Sequence, residues 1–186
     1  MQRVIIYIVL STIGICLQAQ TNIDFSPKML STDIFQLNKA SVRLDLLKIE
    51  PALEREISLG KFYSVVVNSP SQLCKYVYVG RVNTCRAGGC SIKKDAAPDK
   101  ESEFFDYYIL FDAQINIQQV RIYNYQATHG QEVTAKNWLK QFKGYNGSKD
   151  LVVNKNVDAI SGATISVYAI VMDINQKTSL LKEILK

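Results

Sequence analysis

Two runs rich in aromatic and β-branched residues, Tyr107-Tyr108-Ile109-Leu110-Phe111 and Ile115 to Tyr125, flank the triplet Asp112-Ala113-Gln114. Residues of this kind fit a pleated, half-buried surface, and a short interruption between two such runs reads as a hairpin. In the second run Ile115, Ile117, Gln119, Arg121 and Tyr123 alternate with Asn116, Gln118, Val120, Ile122 and Asn124, so its two faces are mixed. Phe62 to Val67 and Leu73 to Val79 have the same character and enclose the turn-like Asn68-Ser69-Pro70-Ser71. The Gly-rich stretch Cys85 to Cys90 is too irregular for long regular structure, and the polar stretch Lys93 to Ser102, which holds Pro98, reads as a surface loop.

Helical spacing appears on both sides of these strands. Asp33 to Ile57 mixes apolar and charged residues at roughly that period, with Pro51 breaking one helix or opening a second. Ala135 to Phe142 places Trp138, Leu139 and Phe142 on one helical face, closed by Gly144. Val157 to Ile174 begins with turn residues and becomes an apolar helix candidate, followed by an amphipathic turn or two from Thr178 to Leu185. The expectation is an α+β chain: a helical leader over 20–57, then a single domain over 58–186 with an antiparallel sheet and packed helices. A length of 186 residues suits one such domain. With 47% hydrophobic and 21% charged residues the chain is neither disordered nor membrane-embedded throughout.

The first residues read differently. Arg3 precedes an apolar run of about 14 residues, Val4 to Leu17, short of the roughly 20 that span a bilayer. With Leu17-Gln18-Ala19 as a small-residue cleavage site, 1–19 reads as a secretory signal peptide, with a retained anchor as the alternative. Cys16 invites a lipoprotein reading, which the bulky Ile15 before it disfavours. The expected location is therefore extracytoplasmic, periplasmic or membrane-associated, in a bacterium. The formal net charge of +5 is scattered, and without a basic stripe interleaved with aromatics it gives no support for nucleic-acid binding.

The segment that carries chemistry is Asp158-Ala159-Ile160-Ser161-Gly162-Ala163-Thr164. Ser161 precedes an apolar run and can cap a helix there. Gly162 permits close backbone approach to a ligand. A helix start gathers unpaired N–H donors and partial positive charge, which suits a phosphate. Thr164 then sets a hydroxyl beside that position. The bland alternative is an ordinary helix cap with small residues for tight packing.

These residues resemble the flavinylation motif of the FMN-binding domain family, Asp-x-x-Ser/Thr-Gly-Ala-Thr/Ser. Members of that family include the C subunit of sodium-translocating NADH:quinone reductase and the G subunit of the Rnf complex. Five constrained positions match by chance in roughly one chain in a thousand of this length. The order of elements agrees as well, and the resemblance runs over about residues 60 to 175. It implies an FMN-binding-type domain in which a separate, magnesium-dependent flavin transferase moves FMN from FAD onto Thr164, leaving a phosphoester. Ser161, Gly162 and Ala163 would shape the phosphate turn, and Asp158 would serve transferase recognition or turn geometry. Where the family carries Glu-Thr-Pro-Gly-Leu-Gly, this chain has Ala127-Thr128-His129-Gly130-Gln131-Glu132. The resemblance puts His129 and Gly130 near the flavin ring, although a lone loop histidine is more often merely exposed. Trp138 and Phe142 either pack on a flavin or belong to the core.

The expected function is an exported electron-transfer flavoprotein that serves a membrane or exported redox partner, a carrier more than a stand-alone enzyme, with no catalytic side chain assigned. The alternatives are a flavin-dependent extracytoplasmic reductase and a non-redox envelope protein whose Ser-Gly-Ala-Thr is only a cap. Cys85 and Cys90 form either a structural disulfide, in which Cys74 could replace one partner, or a redox pair. Their spacing lacks the paired knuckles of a zinc site, and no metal is assigned.

Overall fold

The computed structural model describes residues 22–57, 59–67, 72–86 and 102–186. The expected export segment 1–19 with Cys16, the expected turn at 68–71, Cys90 and nearly all of the expected loop 93–102 lie outside the described residues. Helix α1 (Lys28–Asn38) leads into strand β1 (Arg43–Leu46), the short helix α2 (Pro51–Glu54) and a 3₁₀ turn, Arg55–Ile57. Strands β2 (Gly60–Val66), β3 (Tyr76–Arg86), β4 (Ser102–Phe111) and β5 (Ile117–Tyr125) follow. After β5 come a 3₁₀ turn (Gln131–Thr134), helix α3 (Lys136–Leu139) with a 3₁₀ extension (Lys140–Phe142), and helix α4 (Thr164–Ile184). The five strands form one antiparallel meander in the order β1-β2-β3-β4-β5, so the fold is α+β. Among the described residues no helix is long and apolar enough to cross a membrane.

Strand β4 is covered on both faces, which explains its nearly unbroken apolar sequence. Phe105, Tyr107, Ile109 and Phe111 point into a core shared with Val167, Ile170, Val171 and Ile174 of α4. Tyr108 and Leu110 point the other way, into a second core with Leu30 and Ile34 of α1. Burial of each such side chain contributes about 1.5–3 kcal/mol relative to exposure. The buried carboxylate of the strand, Asp106, is answered by Arg81 through two bonds of 2.7 and 3.0 Å, with a third from Asn124 at 2.8 Å. Asp33 of α1 is likewise buried, and it accepts from Tyr108, Gln119 and Arg121 of the sheet. A buried carboxylate without such partners would be strongly unfavourable.

The mixed faces of the second run have a specific cause. Phe111 pairs with Ile117 but Leu110 with Gln119, and Asp106 pairs with Asn124 but Tyr107 with Ile122. At each of these two bulges β5 spends one residue more than β4, and its side-chain alternation slips. Ile117, Val120 and Ile122 thereby all reach the α4 core, while Gln119 and Arg121 face Asp33.

Two helical expectations need correction. The leader is not helical throughout: α1 stops at Lys39, which adopts a left-handed conformation (φ 53°), and Val42 to Leu46 enters β1, paired with β2. The alternation Val42-Arg43-Leu44-Asp45-Leu46 has period two, and Val42 and Leu44 pack toward α1. At the other end, 157–163 forms the expected turn segment, but the helix candidate and the separate turns expected from Thr178 are one helix, α4, through 184. Its polar stretch does not interrupt it because those side chains have inward partners. Asn175 bonds the backbone of Leu151 and the hydroxyl of Tyr145, and Lys177 donates to the Glu56 carbonyl at 2.9 Å.

Candidate functional site

The segment before α4 is held at its start by α3. The indole N–H of Trp138 donates to the Asp158 carbonyl at 2.9 Å, and the Asp158 N–H donates to the Gln141 side chain at 2.8 Å. Both backbone groups of Asp158 are thus engaged, while its carboxylate is on an exposed residue. Trp138 is half-buried edge-on against the fully buried Phe142 (ring centroids 5.3 Å apart), so Phe142 belongs to the core and Trp138 acts as a clamp on the motif.

From Ile160 the chain turns tightly. The Ala163 N–H donates to the Ile160 carbonyl at 3.1 Å, and Gly162 sits at φ 82°, a conformation that favours glycine. Among the described residues no atom lies within 4 Å of where a Cβ on Gly162 would be, so the turn is open on that side. Ala163 is buried and occupies the N-cap, its carbonyl accepting the first helical bond from Val167. The expected cap therefore changes. Ser161 lies in the turn, exposed, because the helix begins beyond it, and among the described residues no side chain caps α4. The amides of the first turn keep their donor capacity and partial positive charge. Thr164 is the first residue of the helix, is exposed, and engages no other group among the described residues through its hydroxyl.

The loop after β5 reaches the same helix end. Tyr125 donates its hydroxyl proton to the His129 carbonyl and lies 3.0 Å from Ser166 Oγ, which leaves Ser166 as the donor of that second bond. Gly130, at φ 87°, is buried against this pair: a Cβ there would lie 2.7 Å from Ser166 Oγ and 3.1 Å from the Tyr125 hydroxyl. Burial raises the Tyr125 pKa, with the Ser166 bond opposing it, so the phenol stays a neutral donor at physiological pH. His129 itself is exposed. The structure thus gathers Asp158, Ser161, Gly162, Ala163 and Thr164 in one turn, and it brings the His129–Gly130 loop against Ser166, two residues further on. Tyr125, Ser166 and Gln141 escaped the sequence reading. A polar serine inside the apolar start of a helix was the available signal for one of them.

Cys74 does not belong to this site. Cys74 is a free, buried thiol packed on the α1 side of the sheet, and burial pushes its pKa up to about 12. The backbone of Cys85 belongs to β3, and Cys90 lies outside the described residues.

No curated protein sequence matches the chain. Residues 103–177 match the family model of the FMN-binding domain, a span that begins in β4 and ends within α4. The match is narrower at its start than the expected resemblance from about residue 60, and it leaves α1 to β3 outside. It includes the β4–β5 hairpin, the Gly130 loop, the α3 clamp and the turn before Thr164, and over this span the chain is similar to the FMN-binding domain family.

Proposed function

We propose that the chain is an exported electron-transfer flavoprotein that carries FMN as a phosphoester on Thr164. The observation that supports this most directly is the placement of Thr164: an exposed, unengaged hydroxyl on the first residue of an uncapped 21-residue helix, beside the open turn at Gly162. Helix N-termini of this kind bind phosphate through their free amides and dipole. The residues present fit the phosphate end of FMN, since the donors are backbone groups and Gly162 leaves space beside them.

In the loading step the Thr164 oxygen bonds to the FMN-side phosphorus of FAD. The pyrophosphate P–O bond breaks, AMP leaves with the electron pair, and the hydroxyl proton passes to base or solvent. A separate flavin transferase performs this reaction, for which the exposed Asp158 carboxylate is a recognition element. Bound FMN supplies one- and two-electron exchange, so the chain need only hold and orient it. The Trp138–Asp158–Gln141 clamp and the turn at Gly162 fix the attachment point. Export rests on the N-terminal sequence, and a covalent tether suits an extracytoplasmic compartment, where a free cofactor would be lost by dilution. The redox partner is then a membrane or exported protein.

Denaturing gel separation after co-expression with a flavin transferase tests the attachment. The chain is expected to show in-gel flavin fluorescence that Thr164→Val abolishes. A Thr164→Val band that still fluoresces overturns the assignment.

A further inference from the structure

The side of α4 on which a tethered flavin ring would lie follows from which side is closed. At roughly 100° per residue, Ser166 projects about 200° around the helix from Thr164. That side is filled. Ser166 is buried, Gly130 is packed so tightly against its Oγ that even a methyl group would not fit, and Tyr125 bonds both Ser166 and the loop. The loop that the family resemblance places near the ring therefore leaves no gap at Gly130 for a planar ring between loop and helix.

The opposite side is open and apolar. Tyr168 projects about 40°, Met172 about 80° and Ile165 about 100° from Thr164 on the same helix. All three are large hydrophobic residues left exposed, at 47%, 69% and 45%. They form one continuous stripe that starts at Thr164 and runs up α4. Tyr168 stands one turn beyond Thr164, a rise of about 6 Å, a distance that the ribityl chain between the phosphate and the ring of FMN spans.

We infer that Tyr168, flanked by Ile165 and Met172, is the surface on which the isoalloxazine of FMN attached to Thr164 rests, stacked on the phenol ring. The inference rests on the attachment proposed above. Stacking covers an apolar stripe that is otherwise exposed, and an aromatic partner adds to simple area burial. Tyr168 would be a positioning residue, setting the orientation and electronic environment of the ring without moving a proton.

Flavin fluorescence of the loaded chain tests this, because an electron-donating aromatic in van der Waals contact quenches it. The intact, transferase-loaded protein is compared with loaded Tyr168→Ala and Tyr168→Trp, with the intact mass of each recording attachment independently. An exposed helical residue can be replaced by Ala with little effect on folding. The expected result is full loading in all three, a several-fold rise in fluorescence for Tyr168→Ala, and continued quenching in Tyr168→Trp. A fully loaded Tyr168→Ala as dim as the unaltered protein overturns the stacking and leaves the Thr164 ester standing. Equal brightness of all three also overturns it, as expected if the stripe instead receives a partner protein. An unaltered chain without added mass overturns the attachment itself, and this inference with it.

Discussion

The indole N–H of Trp138 and the carbonyl of Asp158 meet at 2.9 Å, which ties the first residue of the motif to a helix 20 positions earlier. The geometry of the turn at Gly162 thus depends on α3 as well as on its own sequence. Trp138→Phe retains most of the ring packing and removes the donor. Loss of this bond is expected to cost about 1 kcal/mol in urea unfolding. It should also slow flavin loading, measured by mass against time, in a protein that still folds. Unchanged loading would show that the clamp stabilises the fold without shaping the acceptor.

The two positive-φ glycines of the site should differ in cost. Gly162→Ala meets no atom of the described residues within 4 Å and suffers only the backbone penalty, about 1 kcal/mol. Gly130→Ala adds an overlap with Ser166 Oγ, for a total of about 2–3 kcal/mol. Combining Gly130→Ala with Ser166→Ala is expected to recover part of that loss, because the overlapping atom is gone. A double variant whose cost is the plain sum of the two single losses would contradict this contact.

Asp173 carries a pH signature. Burial lifts its carboxyl above the usual 3.8, against the opposing pull of Lys177 at 3.5 Å and of the Tyr107 hydroxyl at 2.5 Å. The native state therefore keeps a proton at pH values where the unfolded chain has lost it. The resulting stability is fully present below 3.8 and is lost as pH rises through the raised native value. Asp173→Asn keeps an acceptor for Tyr107 and cannot titrate. Relative to that variant, the unaltered chain should lose stability as pH rises from about 4 and level off above the native pKa. Urea midpoints of both proteins across this range check the sign, and a relative gain with rising pH would refute it.

Cys74 should be inert in the folded protein. Its thiol is fully buried and its pKa is pushed up to about 12, so almost no thiolate forms at neutral pH. Peptide mapping after treatment with a thiol reagent is expected to find no label on Cys74 until denaturant is added. Rapid native labelling would mean that the α1 side of the sheet opens readily.

The β4–β5 hairpin was legible in Tyr107 to Phe111 because a strand buried on both faces leaves an unbroken apolar run. The bulges in β5 were not, since an extra residue shows in sequence only as a failed alternation. Val42 to Leu46 did carry a period-two pattern, but α1 before it and α2 after it blur the boundary between two periods. In the site, the motif itself located Thr164 and the open turn. Ser161 resembled a cap because serine is favoured there, yet the clamp on Asp158 and the turn at Gly162 move the helix start two residues on. The Tyr125–Ser166 contact spans 41 positions, and nothing local in the sequence pairs two such residues.

The most direct test of the account is the intact mass of the chain after co-expression with a flavin transferase, followed by peptide mapping. The account predicts a gain of one FMN less water, located on the peptide that contains Thr164. An unmodified mass and a colourless protein, or the same gain on a different residue, would contradict it.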